Sequence, residues 1–296
     1  MTTTKISRIH ADGIDIFYRH AGPTSLDSPT VLLLHGFPTS SHMFRNLIPL
    51  LATKYRVVAP DLPGFGFTAV PPGRGYSYTF AGLAATVGAL ADALGLGRFA
   101  IYMFDYGAPT GLRLALGRPG AVAAIVTQNG NAYAEGLGAD FWAPLRRAWA
   151  SSGSREDIQA LAGALTAEET RWQYTNGSPH PDAIPPETYT LDQALMDSKP
   201  GNKQVQLDLF YDYRTNLDLY PDFQRYFRES GVPVLAVWGK NDTIFVNEGA
   251  EAFGRDVREG RFVLRWLEAG HFALETNEEV VAREMDEFFE KMKVFG

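Results

Sequence analysis

Between Arg98 and Gly120 the chain reads as a buried strand that breaks abruptly into a helix, with an acidic residue, Asp105, at the break. Residues 98–104 are apolar and aromatic enough for a strand covered on both faces. Gly107 and Ala108 are small, Pro109 suits a first helical turn, and the helix continues through Leu112, Leu114 and Leu116. Such a turn lifts the side chain at its apex off the backbone while the amides of the new helix point toward it. That geometry suits a nucleophile. Helix capping alone is the other reading of Asp105, and only the rest of the chain decides between them.

A strand buried on both faces needs parallel neighbours and helices above and below it. The preceding sequence supplies both. Residues 5–10 and 14–19 form two short strands turning at Asp12 and Gly13, at a sheet edge. Residues 31–34 are a continuous apolar run that ends in His35, Gly36, Phe37 and Pro38. Glycine permits close backbone approach there and proline fixes the next segment, so the Phe37 amide can be held pointing into a cleft. His35 reads as a structural histidine bonded within this loop. Ser40 and Ser41 open a helix to about residue 53, residues 55–60 form another strand, and residues 80–94 a small-residue helix. The alternation argues for right-handed crossovers and a mostly parallel sheet, with ligands beyond the carboxyl ends of the strands.

Residues 122–128 continue the pattern, and then the composition changes. Residues 131–230 lack a strand-like run and carry helix starts at Ser154 with Asp157, Thr166 with Glu169, and Pro185-Pro186 before Glu187. They read as a helical lid inserted into an α/β core made of residues 1–130 and 231–296. Strands return at 232–238 and 261–267, followed by a closing helix over 277–292. Asp242 and His271 each lie just past a strand end, on the edge that carries Asp105. Asp242 could be a turn residue only, but acid, acid, histidine after successive strands is the order of a catalytic triad.

Charge and composition narrow the function classes. The 296 residues carry a net charge of −7 without a dense basic cluster, which argues against nucleic acid as a partner. Cysteine is absent, which removes disulfides, thiolate metal sites and cysteine catalysis. The start has no apolar leader and no run reaches bilayer length, so the expectation is a soluble cytoplasmic protein with no membrane partner, monomeric or homodimeric. The histidines lack ligand spacing and no glycine-rich phosphate loop is present, so neither metal nor organic cofactor is expected.

An aspartate nucleophile has a chemical logic of its own. Serine attacking a saturated carbon leaves an ether, which has no carbonyl for water to attack. A carboxylate forms an alkyl ester, and a histidine-activated water can attack that ester while two amides stabilise the oxyanion. In this scheme Asp105 is the nucleophile, His271 the base, and Asp242 the group that orients and charges the imidazole. Substrates would be small apolar epoxides or halides, with water.

The His35-Gly36-Phe37-Pro38 loop, the turn at Asp105, the stretch Gly239 to Asp242 and the stretch Ala269 to Phe272 together resemble the α/β-hydrolase fold over nearly the whole chain. The aspartate at the elbow is similar to the epoxide hydrolase and haloalkane dehalogenase branch. Met103 departs from the small residue usual two positions before the nucleophile and could shift the elbow. The resemblance implies oxyanion donors at the backbone amides of Phe37 and Tyr106. Halide-binding relatives use a Trp just after the nucleophile and another Trp or an Asn elsewhere, and haloacid-type relatives use arginines; here Tyr106, Phe37 and Pro109 stand instead. Tyr213 and Arg214 match the lid tyrosine followed by Arg with which epoxide hydrolases assist the leaving oxygen. Tyr213 shares a helical face with Leu209, Phe210 and Leu217. The first lid tyrosine has no clear counterpart: Tyr174 is the candidate second donor, and Trp149, at about the expected place, would line the substrate pocket. The resemblance thus implies an epoxide hydrolase, with a dehalogenase as the alternative and a non-catalytic binding protein on this fold as a third reading.

Overall fold

In a computed structural model, which describes residues 3–296, the strands are β1 (Lys5–Ala11), β2 (Ile14–Ala21), β3 (Thr30–Leu34), β4 (Arg56–Pro60), β5 (Phe99–Phe104), β6 (Val122–Gln128), β7 (Val234–Gly239) and β8 (Phe262–Leu267). They form one eight-stranded sheet in the order β1-β2-β4-β3-β5-β6-β7-β8. The β1–β2 and β2–β4 pairs are antiparallel and all later pairs parallel. Asp12 and Gly13 both adopt positive φ, 55° and 68°, as a two-residue hairpin turn requires.

The helices are α1 (Leu47–Leu51), α2 (Phe80–Ala93), α3 (Gly107–Gly117), α4 (Ala139–Ala150), α5 (Arg155–Ala160), α6 (Ala167–Thr175), α7 (Pro186–Ser198), α8 (Asn202–Asp212), α9 (Arg214–Ser230), α10 (Asn247–Asp256) and α11 (Glu278–Met292). The expected helix over residues 40–53 is replaced by a 3-10 turn, Ser41–Phe44, and the short α1. Pro49 explains the break, because it has no N–H for a helix running through from Ser41 and is tolerated only in a first turn, where α1 places it.

Period-two alternation splits the core. Ile101 and Met103 of β5 face a cluster with Phe80, Leu83 and Val87 of α2 and Leu112 of α3. Ala100, Tyr102 and Phe104 face the opposite layer, with Ile48 of α1 and Val281, Met285 and Phe289 of α11. Between β6 and β7 the described residues form α4 to α9 and three short 3-10 turns, with no strand of the sheet. Ser154 and Thr166 cap α5 and α6 by accepting from the amides of Asp157 and Glu169. No described helix is long and apolar enough to cross a membrane.

Candidate active site

Asp105 follows β5 directly and is separated from α3 only by Tyr106; its φ is +48°, a left-handed conformation that a non-glycine residue holds only under constraint. Two glycines make the turn possible. A Cβ on Gly107 would lie 2.3 Å from the Leu34 carbonyl oxygen, and one on Gly36 would lie 2.2 Å from Asp105 Oδ1. Met103 does not disturb the turn, because its side chain lies over Gly111, where a Cβ would come 2.7 Å from the sulfur.

The Asp105 carboxylate is buried, and the Phe37 amide donates to Oδ1 at 2.6 Å. The Tyr106 amide, at the start of α3, adds to the pull that favours the charged carboxylate. Burial pushes the Asp105 pKa up to about 6, against the pull of the His271 charge and the two amides. His35 is fully buried and not part of this arrangement: its ring bonds the Gly36 carbonyl at 3.0 Å and accepts from the Leu62 amide at 2.9 Å, stiffening the loop that presents Phe37.

His271 and Asp242 arrive from the loops after β8 and β7. His271 Nδ1 lies 2.8 Å from Asp242 Oδ2, and the Ile244 amide donates to Oδ1 at 2.7 Å. Asn129, which follows β6 with φ +47°, donates to Asp242 Oδ2 at 2.8 Å and accepts from the Gly239 amide at 3.0 Å. Gln128 donates to the His271 carbonyl at 2.9 Å and is itself held by the Tyr102 hydroxyl at 2.8 Å. Burial pulls the His271 pKa down, but the charge and hydrogen bond of Asp242, with Asp105 adding, reverse this, so the net shift is upward. Nε2 of His271 is buried and bonds nothing among the described residues.

Tyr213 falls at the joint of α8 and α9 and is fully buried. Its ring packs 4.6 Å from Trp142, 5.4 Å from Phe80 and 6.0 Å from Tyr106, the residue that follows Asp105. Trp149 stacks on Tyr213 with rings 6.3 Å apart.

A model of the alpha/beta hydrolase fold matches residues 29–278. The chain belongs to the α/β-hydrolase fold family. An uncharacterized hydrolase of Saccharomyces cerevisiae is 47% identical over 290 residues, 96% of this chain and 98% of that one. A fluoroacetate dehalogenase of Burkholderia sp. is 40% identical over 99 residues, a third of each chain. Among solved structures, an epoxide hydrolase from Vigna radiata superposes with a TM-score of 0.72 at 25% identity, covering 97% of this chain and 98% of that one. The protein is thus a hydrolase with relatives in both the epoxide and the halide branches.

This α/β-hydrolase does not offer Tyr174 as a second donor. The Tyr174 hydroxyl is held at 2.5 Å by Asp192 Oδ2 and at 3.2 Å by Thr39, and its ring stacks 3.7 Å from Phe272. A phenol has one proton, and the buried Asp192 carboxyl claims it. Nothing in the sequence ties these two residues, 18 apart, to one another. Tyr220 was not singled out by the sequence, yet its hydroxyl is the one polar group in contact with the Tyr213 hydroxyl, at 3.4 Å, among the described residues. The signal was available, because residues seven apart share a helical face.

Proposed function

We propose that this hydrolase converts epoxides to vicinal diols through a covalent alkyl ester on Asp105, beneath a lid formed by residues 131–230. The Phe37 amide holds Oδ1, which leaves Oδ2 to attack the epoxide carbon. As the carbon–oxygen bond breaks, Tyr213 donates to the departing oxygen. His271 Nε2 then takes a proton from water, and the hydroxide adds to the ester carbonyl. Charge develops on Oδ1, to which the Phe37 amide already donates, and the Tyr106 amide is the second donor on this reading. Collapse releases the diol and returns a carboxylate carrying one oxygen from water; of that water's two protons, one ends on the departing diol oxygen and the other restores the Tyr213 phenol, which leaves His271 neutral again. Asp242 stabilises the imidazolium between these steps. No step needs a cofactor. The chain's lack of cysteine fits work in a reducing compartment such as the cytoplasm.

The observation that carries the epoxide choice is the state of the donors around Tyr213. The indole N–H of Trp142 donates to the Ile244 carbonyl at 2.8 Å and that of Trp149 to the Phe210 carbonyl at 3.0 Å, so neither is free for a halide. The Tyr213 hydroxyl, by contrast, meets among the described residues only the Tyr220 hydroxyl, at 3.4 Å, and on this reading its proton goes to the ligand. An epoxide oxygen stays in the product and needs that proton; a halide leaves without it. The second reading, a dehalogenase, draws on the 40% identity to the fluoroacetate enzyme over 99 residues, although Tyr106 and Pro109 stand where haloacid-type relatives place arginines. A paired assay separates the two: styrene-type epoxides followed by diol release, and short alkyl halides followed by halide release. Diol without halide is expected; halide release with no diol would overturn the epoxide reading.

A further inference from the structure

Tyr213 is one end of a chain of hydrogen bonds whose direction can be worked out atom by atom. The far end is Asn131, in the turn after β6, fully buried. Its carboxamide has only one workable orientation, because Oδ1 accepts from the Tyr133 amide at 3.2 Å and Nδ2 donates to the Tyr133 carbonyl at 2.6 Å. Reversing it would set oxygen against oxygen and N–H against N–H. The second hydrogen of Nδ2 points at the Tyr220 hydroxyl, 3.3 Å away. Tyr220 must accept that bond, because an amide nitrogen accepts none. Its own proton then has one acceptor among the described residues, the Tyr213 oxygen at 3.4 Å. Tyr213, accepting there, is left with a proton that no described protein group takes up.

We infer that Asn131 and Tyr220 are positioning residues that set the polarity of this chain, so that Tyr213 always presents its proton to the ligand and never turns it back into the lid. Without the amide at 131, two facing phenols would share two equivalent arrangements, one of which spends the Tyr213 proton on Tyr220. With it, only the productive arrangement remains. Tyr220 also donates to the oxygen that must itself donate, and bonds in such a series polarise one another in the same sense. The bonds of 3.3 and 3.4 Å are long for their types, the slack common at catalytic hydrogen bonds before substrate loads them. Tyr220 does not touch the reacting atoms; it acts through Tyr213.

The inference rests on the epoxide reading, and a two-residue cycle separates failure of one from failure of the other. Wild type, Tyr213→Phe, Tyr220→Phe and the double variant are mixed with styrene oxide in single-turnover experiments. Alkylation is read from tryptophan fluorescence, and ester hydrolysis from the later phase of the same trace. The expected result is a loss in alkylation of about 10²-fold for Tyr213→Phe and about tenfold for Tyr220→Phe, with the double variant no slower than Tyr213→Phe alone and hydrolysis unchanged throughout. A residue that merely packs the lid would slow both phases, and its effect would multiply with that of Tyr213→Phe. If Tyr213→Phe is slow while Tyr220→Phe runs at the wild-type rate, or the two losses multiply, the directional chain is wrong and the epoxide reading stands. If Tyr213→Phe is itself unimpaired, the donor assignment falls and takes the chain with it.

Discussion

Asn129 Nδ2 donates to Asp242 Oδ2 at 2.8 Å, the same carboxylate oxygen that lies 2.8 Å from His271 Nδ1. An ionised carboxylate has no proton to give, so the imidazole proton sits on Nδ1 and the lone pair on Nε2 is free to take one from water. Asn129 fixes where Asp242 Oδ2 stands but supplies no charge. Asp242→Asn should therefore cut turnover by about 10³- to 10⁴-fold, chiefly in ester hydrolysis. Asn129→Ala should cost only about tenfold, the worth of one buried hydrogen bond. Rapid-quench rates for the two steps separate these effects, and a healthy Asp242→Asn enzyme would mean that another carboxylate charges the imidazole.

The covalent route predicts where solvent oxygen goes. In one turnover in ¹⁸O-water, label should appear in the Asp105 carboxylate and not in the diol, because the oxygen added to the epoxide carbon comes from the enzyme. His271→Gln should accumulate the ester, visible as an added substrate mass on the peptide bearing Asp105. Label in the first-turnover diol with an unlabelled protein would point to direct attack by water.

The elbow and its partners were legible because each follows from local physics. A doubly buried strand ending at Phe104, with Gly107 just beyond, leaves Asp105 few places to go. Asp12-Gly13, Ser154 and Thr166 declared their turn and caps in the same local way, whereas His35 is satisfied within its own loop on one side only, its Nε2 accepting from the Leu62 amide 27 residues on. What escaped depends on distance along the chain. Asn129 and Asp242 are 113 residues apart, and Asn131 and Tyr220 are 89 apart, so no sequence window holds either pair. The sequence offers Tyr174 only because the first lid tyrosine of the resembling hydrolases has no clear counterpart here; the buried carboxyl of Asp192 that takes its proton has no signature in α7. The expected helix from Ser41 misjudged a residue in plain view, Pro49.

Two titrations should shape the pH profile. Asp105 must be ionised to attack, and burial holds its pKa near 6, so the alkylation rate should fall as the pH drops through about 6. His271 must be neutral to accept a proton: burial lowers its pKa and the Asp242 charge and hydrogen bond raise it, while the Asp105 charge adds to the rise only until Asp105 becomes a neutral ester. Ester hydrolysis should then weaken as the pH is lowered and the imidazole takes up a proton, so that ester builds up wherever hydrolysis falls faster than alkylation. Tyr213, pushed well above 10 by burial, keeps its proton throughout, so no loss is expected up to about pH 10. Stopped-flow traces across pH 5–10 check both limbs; an alkylation rate flat down to pH 4.5 would contradict the Asp105 assignment.

The same burial makes Asp105 a burden on the fold. A carboxyl with a higher pKa folded than unfolded binds more protons when folded, so its stabilising contribution is complete below the unfolded value of 3.8 and is lost as the pH rises through about 6. Asp105→Asn should therefore be inactive yet more stable than wild type at pH 7.5, by about 1–3 kcal/mol, with the gain shrinking toward pH 4. Urea melts at several pH values measure it. A variant less stable than wild type at pH 7.5 would show that the bonds from Phe37 and Tyr106 outweigh the cost of burying the charge.

Tyr174 separates a structural phenol from a donating one. Its hydroxyl meets Asp192, whose pKa burial pushes up to about 8 despite the bonds from Tyr174 and Thr39, and the other oxygen of that carboxyl has no partner among the described residues. Tyr174→Phe keeps the stack on Phe272 but removes one of the few groups that satisfy Asp192. The cost should fall on stability, about 1–3 kcal/mol for a buried acceptor left short of a donor. It should be felt most above pH 8, because a raised carboxyl pKa means stability present at low pH and lost as the pH rises through the folded value. Alkylation by styrene oxide should stay within about twofold of wild type, in contrast to the loss of about 10²-fold expected for Tyr213→Phe. Melting curves and single-turnover rates on the same preparation test both halves. An unchanged melt with alkylation slowed a hundredfold would return Tyr174 to the role of second donor, and the Asp192 contact would then have to open when substrate binds.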